Sequence, residues 1–332
     1  MALTRAKAEN PVTIQEAIMR RDNNYYPSAD LLDVIAELDL RPDIMNAIMF
    51  GDLIEKNGEI TYKPNHENLP IREFPHKDNK MTGAVEIHEP PKKTSSGKVQ
   101  RGRYIAGIDT YDDDESGTMS LGSIFILDLL TDDIVFEYTG RPTFADDFYE
   151  ICRRALLWYN AEANYENNKK GLFGYFSRMN CTYLLSDTLE FLKDKEMMKG
   201  GLYGNKAKGT ISTAPIKAYG RKIQRDWLLK PIVTITEIDG EVVETMIPKL
   251  KTIRSKAYLK ELSMWNPDGN FDRHDAMLML MLIREDKIRL FGSNSASDVL
   301  NQRDTNYLGD DPFFNNHYDN ILSKFSEKFK LE

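Results

Sequence analysis

The chain has 332 residues, is 41 % hydrophobic and carries a formal net charge of −8. That apolar share suits a globular protein with a buried core, and no run reaches the roughly eighteen apolar residues that a membrane helix requires. Two cysteines, Cys152 and Cys181, exclude a disulfide framework or a zinc cluster, and the N-terminus lacks an apolar signal core, so a reducing cytoplasm is expected.

The average charge conceals an asymmetry. Between Lys199 and Lys260, thirteen Lys or Arg stand against five Asp or Glu, a local +8 that leaves −16 for the remainder. Residues 92–103 add a second basic stretch without acids. Basic patches of this kind bind phosphate backbones whatever the total charge, although a solvated mixed surface would read the same way.

In chain order, residues 1–50 read as helical. Thr13 and Glu16 have capping-box spacing, and Leu31, Leu32, Ile35, Ala36 and Leu38 fit one apolar helix face. Residues 51–91 are punctuated by Gly and Pro and suit short strands such as Glu59–Tyr62, and residues 92–101 suit a loop. From Arg103 the pattern changes. Tyr104–Asp109, Leu121–Leu127 and Ile134–Tyr138 read as three consecutive strands. Phe144, Phe148, Ile151, Cys152, Ala155 and Tyr159 then mark an amphipathic helix. A short element carries Ala161-Glu162-Ala163-Asn164. Ala214–Leu229 predicts a helix, and Ile232–Thr236 with Val242–Met246 flank a hairpin turn. Asp275–Ile288 is the clearest helix, with Met277, Met279 and Met281 expected in the core. The tail after Gly292 ends in an aromatic-containing stretch from Phe313 to Phe325, expected to dock or bind a partner.

This order predicts an α/β fold, a ribonuclease H-like mixed central sheet flanked by helices, after a smaller, mostly helical N-terminal segment. The expected divisions are 1–100, 101–292 and 293–332. In such a fold, acids from separate elements converge at one end of the central strands. The candidates are Asp109 at a strand end, Glu162 after the helix that follows the three strands and Asp275 at the start of the last strong helix, with Asp272 or Asp113 assisting. Carboxylates without histidine favour hard ions, Mg²⁺ or Mn²⁺, and two such ions suit phosphodiester hydrolysis. Each acid also has a plain structural reading: Asp109 as a turn residue, Glu162 as a surface residue, Asp275 as a helix N-cap. His274 beside Asp275 would be a supporting donor, a phosphate contact or an exposed histidine.

Tyr104-Ile105-Ala106-Gly107-Ile108-Asp109, Ala161-Glu162-Ala163-Asn164 and Phe271-Asp272-Arg273-His274-Asp275-Ala276 resemble the three acidic motifs of the nuclease domain of tailed-phage terminase large subunits. Gly209–Lys217 resembles that family's Gly-Thr-Lys stretch before a helix. The resemblance covers about residues 100–290 and implies a metal-dependent endonuclease that cuts concatemeric double-stranded DNA during genome packaging. It implies a packaging ATPase, a portal and a small terminase subunit as partners, no membrane, and the cytoplasm of an infected bacterium as the setting. No phosphate-binding loop is recognisable in the chain: Ser96-Gly97-Lys98-Val99 lacks both the preceding Gly and the following Ser or Thr. Residues 1–100 would then be partly the connection to a missing motor. Lys206, Lys208, Lys217, Arg221, Lys222 and Arg225 would meet the DNA backbone, with little sequence specificity. The alternatives are another nuclease of this fold, such as a junction resolvase or a ribonuclease H, and a non-catalytic module that binds DNA or a portal.

Overall fold

A computed structural model of the chain describes residues 24–76, 80–111, 120–193, 208–238 and 241–292. The Thr13–Glu16 capping box and the tail after Gly292 lie outside them. Helix α1 (Ser28–Leu40) buries Leu31, Ile35 and Leu38 of the expected face together with Ala29 and Val34, leaving Leu32 and Ala36 half-buried, and a short helix α2 (Pro42–Asn46) follows. Strands β1 (Met49–Lys56), β2 (Glu59–Pro64) and β3 (Val85–Ile87) come next. The meander is β4 (Tyr104–Asp109), β5 (Gly122–Asp128) and β6 (Asp133–Gly140). Helix α3 (Ala145–Tyr159) leads into β7 (Glu162–Tyr165) through Asn160, whose left-handed backbone ends the helix.

One seven-stranded sheet results, in the order β2-β1-β3-β6-β5-β4-β7. Every pairing is antiparallel except β4 with β7. The fold is therefore α/β with a mixed, mostly antiparallel sheet. Short strands are expected within residues 51–91 as part of a separate, mostly helical N-terminal segment; residues 49–87 supply three strands, and these belong to the main sheet. The division expected at residue 100 falls inside it, because β3 pairs with β6 through Glu86 and Glu137. Edge pairing satisfies backbone groups that a separate hairpin would leave to water.

Helices cover both faces. Helix α3 packs with Ala106, Ile108, Ile124, Ile126, Phe136 and Tyr138 on one side, and both cysteines sit there as free, buried thiols. Ile105, Phe125 and Leu127 turn to the other side and meet helix α8 (Asp272–Gly292). The short helices α4 (Gly171–Arg178) and α5 (Glu190–Lys193), then α6 (Ala214–Leu229) and α7 (Lys256–Met264), complete the chain order. Residues 276–283 of α8 are buried all round, Met277, Met279 and Met281 included, which makes α8 a central helix with protein on every side. Strands β8 (Pro231–Ile238) and β9 (Glu241–Pro248) form a separate hairpin, whose turn residues 239–240 lie outside the described ones. No helix among the described residues is long and apolar enough to cross a membrane.

Candidate active site

The site is set by how closely α8 approaches the sheet. A Cβ at Gly107 in β4 would strike the Ala276 carbonyl and Leu280 of α8, so only glycine permits this contact. That brings the first turn of α8 over the C-terminal end of β4. A second close approach sets α6: a Cβ at Gly220 would strike Leu278 of α8 at 2.5 Å. Lys217, almost one turn earlier on α6, thereby reaches the same end of the sheet.

Four acids converge there. Asp109 ends β4 and is 5 % exposed. The parallel register pairs Ile108 with Tyr165, so the next residue of each chain, Asp109 and Glu166, stand side by side. Asp272 and Asp275 come from the first turn of α8. Burial pushes the Asp109 carboxyl well above its usual range, and the negative charge of Asp275, then those of Asp272 and Glu166, push the same way; Lys169 opposes them. Asp275 behaves oppositely. Burial works against its charge, but His274 and Lys217 outweigh that and hold its pKa down at about 2. His274 Nδ1 lies 2.7 Å from Asp275 Oδ1, and Lys217 Nζ 3.1 Å from Oδ2. Burial lowers the pKa of His274 while Asp275 raises it, and the ring stands as a hydrogen-bond partner of Asp275 beside the Lys217 ammonium. The Lys217 ammonium also lies 3.8 Å from Glu166. Burial would weaken that ammonium, yet Asp275, Glu166 and Asp109 raise its pKa.

The structure does not bring Glu162 to the other acids. Glu162 begins β7 opposite Ile105, four residues before Glu166 and about 13 Å away at the rise of a strand. It pairs with Lys287 at 2.9 Å. Glu166 holds the place beside Asp109 that the sequence reading gave to Glu162. Nothing local in the sequence separates Glu166 from Glu162; the parallel register does, because Asp109 lies at the C-terminal end of its strand and a parallel neighbour contributes from its own C-terminal end. In the same motif Asn164 is wholly buried and donates to the Met279 carbonyl at 3.0 Å, while Thr210 donates to Asn164 Oδ1 at 2.8 Å. Asn164 ties β7, α8 and the Gly209–Thr210 stretch together.

Asp275 is not a helix cap. Helix α8 begins three residues earlier than its apolar run suggests, and the Asp275 amide donates to the Phe271 carbonyl at 3.0 Å. Asp272 opens the helix and points back across the sheet end. It accepts from the Leu121 amide at 3.0 Å and the Ser120 hydroxyl at 2.8 Å. Both oxygens of Asp272 thus hold the start of β5, on backbone that the helix makes regular. Its side chain is closed off, whereas that of Asp275 is 29 % exposed. Asp113 lies outside the described residues.

No protein-family model matches the chain, and no curated protein matches it.

The basic candidates divide. Lys217 faces the acids. Lys208 pairs with Asp187 at 2.8 Å and donates to the Leu185 carbonyl. Arg221 lies 5.3 Å over the Trp265 ring and Arg225 5.4 Å over Tyr25, both on α6. Lys222 is exposed and pairs with Asp226. Lys206 lies outside the described residues. Lys169, which no motif marked, donates to the Thr110 carbonyl beside Asp109.

An all-oxygen set of this kind suits a hard divalent cation. Burial, and after it the negative charge of the neighbouring acids, drives up the Asp109 pKa, and such a cation would relieve the second of these. Among the described residues, no three acids, histidines or cysteines are already grouped as a finished metal site. Lys217, lodged against Asp275 and Glu166, occupies part of the space where positive charge is required.

Proposed function

We propose that the protein is a metal-dependent endonuclease that cuts double-stranded DNA, with a ribonuclease H-like fold related to the nuclease domain of terminase large subunits. The observation that carries the reading is the convergence of Asp109, Glu166 and Asp275 at the C-terminal ends of two adjacent parallel strands, beneath the first turn of a buried helix. The strand order β6-β5-β4-β7, an antiparallel meander extended by one parallel strand after a helix, supports the fold assignment.

Asp109, Glu166 and Asp275 would hold the metal, with Asp272 fixing the strand end behind them. Two Mg²⁺ or Mn²⁺ ions bound there would supply an activated water and a stabilised leaving oxygen for phosphodiester cleavage. Asp275 is ionised throughout the physiological range and presents one oxygen to His274 and one to Lys217. Burial and the neighbouring acids push the Asp109 pKa upward, and added positive charge would oppose that shift. Arg221, half-buried over Trp265, and the exposed Lys222, both on α6, would meet phosphates on either side of the cut. Concatemeric viral DNA, a packaging ATPase, a portal and the cytoplasm of an infected bacterium follow from the same resemblance.

Supercoiled plasmid incubated with Mn²⁺, Mg²⁺ or EDTA tests the proposal. Nicking and linearisation with either metal and none in EDTA are expected. Equal cutting in EDTA, or no cutting with either ion, overturns it. The latter result supports a second reading, a non-catalytic DNA- or portal-binding module. The Lys217 ion pairs favour that reading, since they already offset part of the acidic charge without a metal.

A further inference from the structure

On the nuclease reading, Asp275 must present its carboxylate in one orientation, and the molecule contains a buried device suited to holding it. His274 is 2 % exposed and faces protein, which removes it from any direct contact with DNA. Its Nδ1 meets Asp275 and its Nε2 lies 2.8 Å from the Tyr26 hydroxyl. That hydroxyl donates to Gln224 Oε1 at 2.7 Å, and Gln224 Nε2 donates to the Tyr258 hydroxyl at 2.8 Å. Five side chains thus form one hydrogen-bonded chain that starts at Asp275 and ends in the core.

These side chains come from the segment before α1 and from α6, α7 and α8. Tyr26 precedes His274 by 248 positions. Its own segment is pinned: Asn24 donates to the carbonyls of Leu262 and Ser263, each at 2.8 Å. Around the imidazole, Tyr26 packs edge-on at 5.6 Å and Trp265 lies at 5.7 Å. With both ring nitrogens engaged and both neighbours aromatic, the ring cannot rotate without losing two hydrogen bonds in a dry site. The chain can run with either polarity. A charged ring donates from both nitrogens; a neutral ring keeps its proton on Nδ1 and accepts from Tyr26, with the Gln224 amide turned over.

Packing alone does not account for the hydroxyl at position 26. A phenylalanine would fill the same aromatic niche without placing a polar group there. We infer that Tyr26 is a positioning residue: it fixes the His274 ring, which in turn fixes the Asp275 carboxylate toward the metal. Groups behind metal ligands commonly alter affinity by about 10- to 100-fold, and Tyr26, one bond further back, belongs at the lower end.

Tyr26→Phe removes one oxygen and keeps the ring contacts. Two readouts are taken on the full chain: Mn²⁺ affinity by calorimetric titration, and the slowly exchanging imidazole N–H proton of His274 by NMR in the metal-free protein. Tyr26→Phe is expected to weaken Mn²⁺ binding roughly 10-fold, to shift the imidazole proton and to speed its exchange. Tyr258→Phe, at the far end, should move both in the same direction by less. If wild-type and Tyr26→Phe proteins bind Mn²⁺ equally, or if binding weakens while the imidazole signal stays put, the positioning role is overturned and the nuclease reading stands. A wild-type protein that binds no Mn²⁺ overturns the nuclease reading and takes this role with it.

Discussion

The two ends of strand β7 carry the same residue four positions apart and treat it differently. At the N-terminal end Glu162 meets Lys287, one acid against one base, with charges matched. At the C-terminal end Glu166 joins Asp109, Asp272 and Asp275, with Lys217 and Lys169 as the nearby cations. The first arrangement is complete as it stands. The second has surplus negative charge in a buried place, and it shows in Asp109, whose pKa is driven upward, and in Lys217, whose pKa is raised by the acids around it. The difference comes from strand direction: β4 and β7 run parallel, so their C-terminal ends gather acids while their N-terminal ends face elsewhere. An isolated carboxylate motif therefore says little until the end of the strand it occupies is known.

The sharpest way to break this comparison is to neutralise one acid at each end. Asp275→Asn and Glu166→Gln should each lower Mn²⁺-dependent plasmid cleavage by on the order of 100-fold or more, the cost of losing a rigidly placed group. Glu162→Gln should leave the rate within about twofold, as expected for a partly exposed ion pair. Rates measured on supercoiled plasmid decide it; full activity in Glu166→Gln, or a large loss in Glu162→Gln, would restore Glu162 to the site.

Stability of the metal-free protein gives the next effect, and its sign differs between two neighbouring acids. Asp109 has a folded pKa above its unfolded one, so the native state binds the extra proton and stability falls as pH rises past the ordinary carboxylate range. Asp109→Asn should therefore raise the melting temperature at pH 7. Asp275 has a folded pKa of about 2, below its unfolded value, so its contribution is present above the ordinary carboxylate range and is lost as pH falls toward 2. Asp275→Asn should lower stability at pH 7 by on the order of 1–2 kcal/mol. Melting curves from pH 4 to 8 test both, and identical shifts for the two variants would remove the charge asymmetry. Mn²⁺ binding should also strengthen with rising pH, because the metal competes with the proton on Asp109, whose pKa is raised.

The smallest expected effect concerns DNA. Arg221→Ala with Lys222→Ala should reduce the salt dependence of DNA binding, lowering the log–log slope by roughly 1 to 2, since each phosphate contact releases about 0.9 counterion. Binding isotherms at several salt concentrations measure it. An unchanged slope would mean that Arg221 serves its stack on Trp265 and Lys222 its pair with Asp226.

What the sequence determined by itself was local. Tyr104–Asp109 is a strand because it is a short apolar run, with β-branched Ile105 and Ile108, bounded by polar residues, and Ala214–Leu229 is a helix because its apolar residues recur at helical spacing. Asp109 and Asp275 were legible for the same reason, each standing where a periodic run ends or begins. Residues 49–87 were not legible as part of the main sheet, since edge pairing is fixed by backbone partners far along the chain and leaves no period of its own. Glu166 was hidden because nothing local distinguishes it from Glu162; only the parallel register of β7 on β4 puts one beside Asp109 and turns the other away. Tyr26 and Gln224 were hidden more deeply. Their partners stand 248 and 198 positions from Tyr26, and no spacing records a hydrogen bond that exists only after α6 and α8 have packed. Side-chain periodicity is a property of neighbours in sequence, whereas convergence of charge is a property of neighbours in space, and Gly107 and Gly220 set that second distance by lacking a side chain.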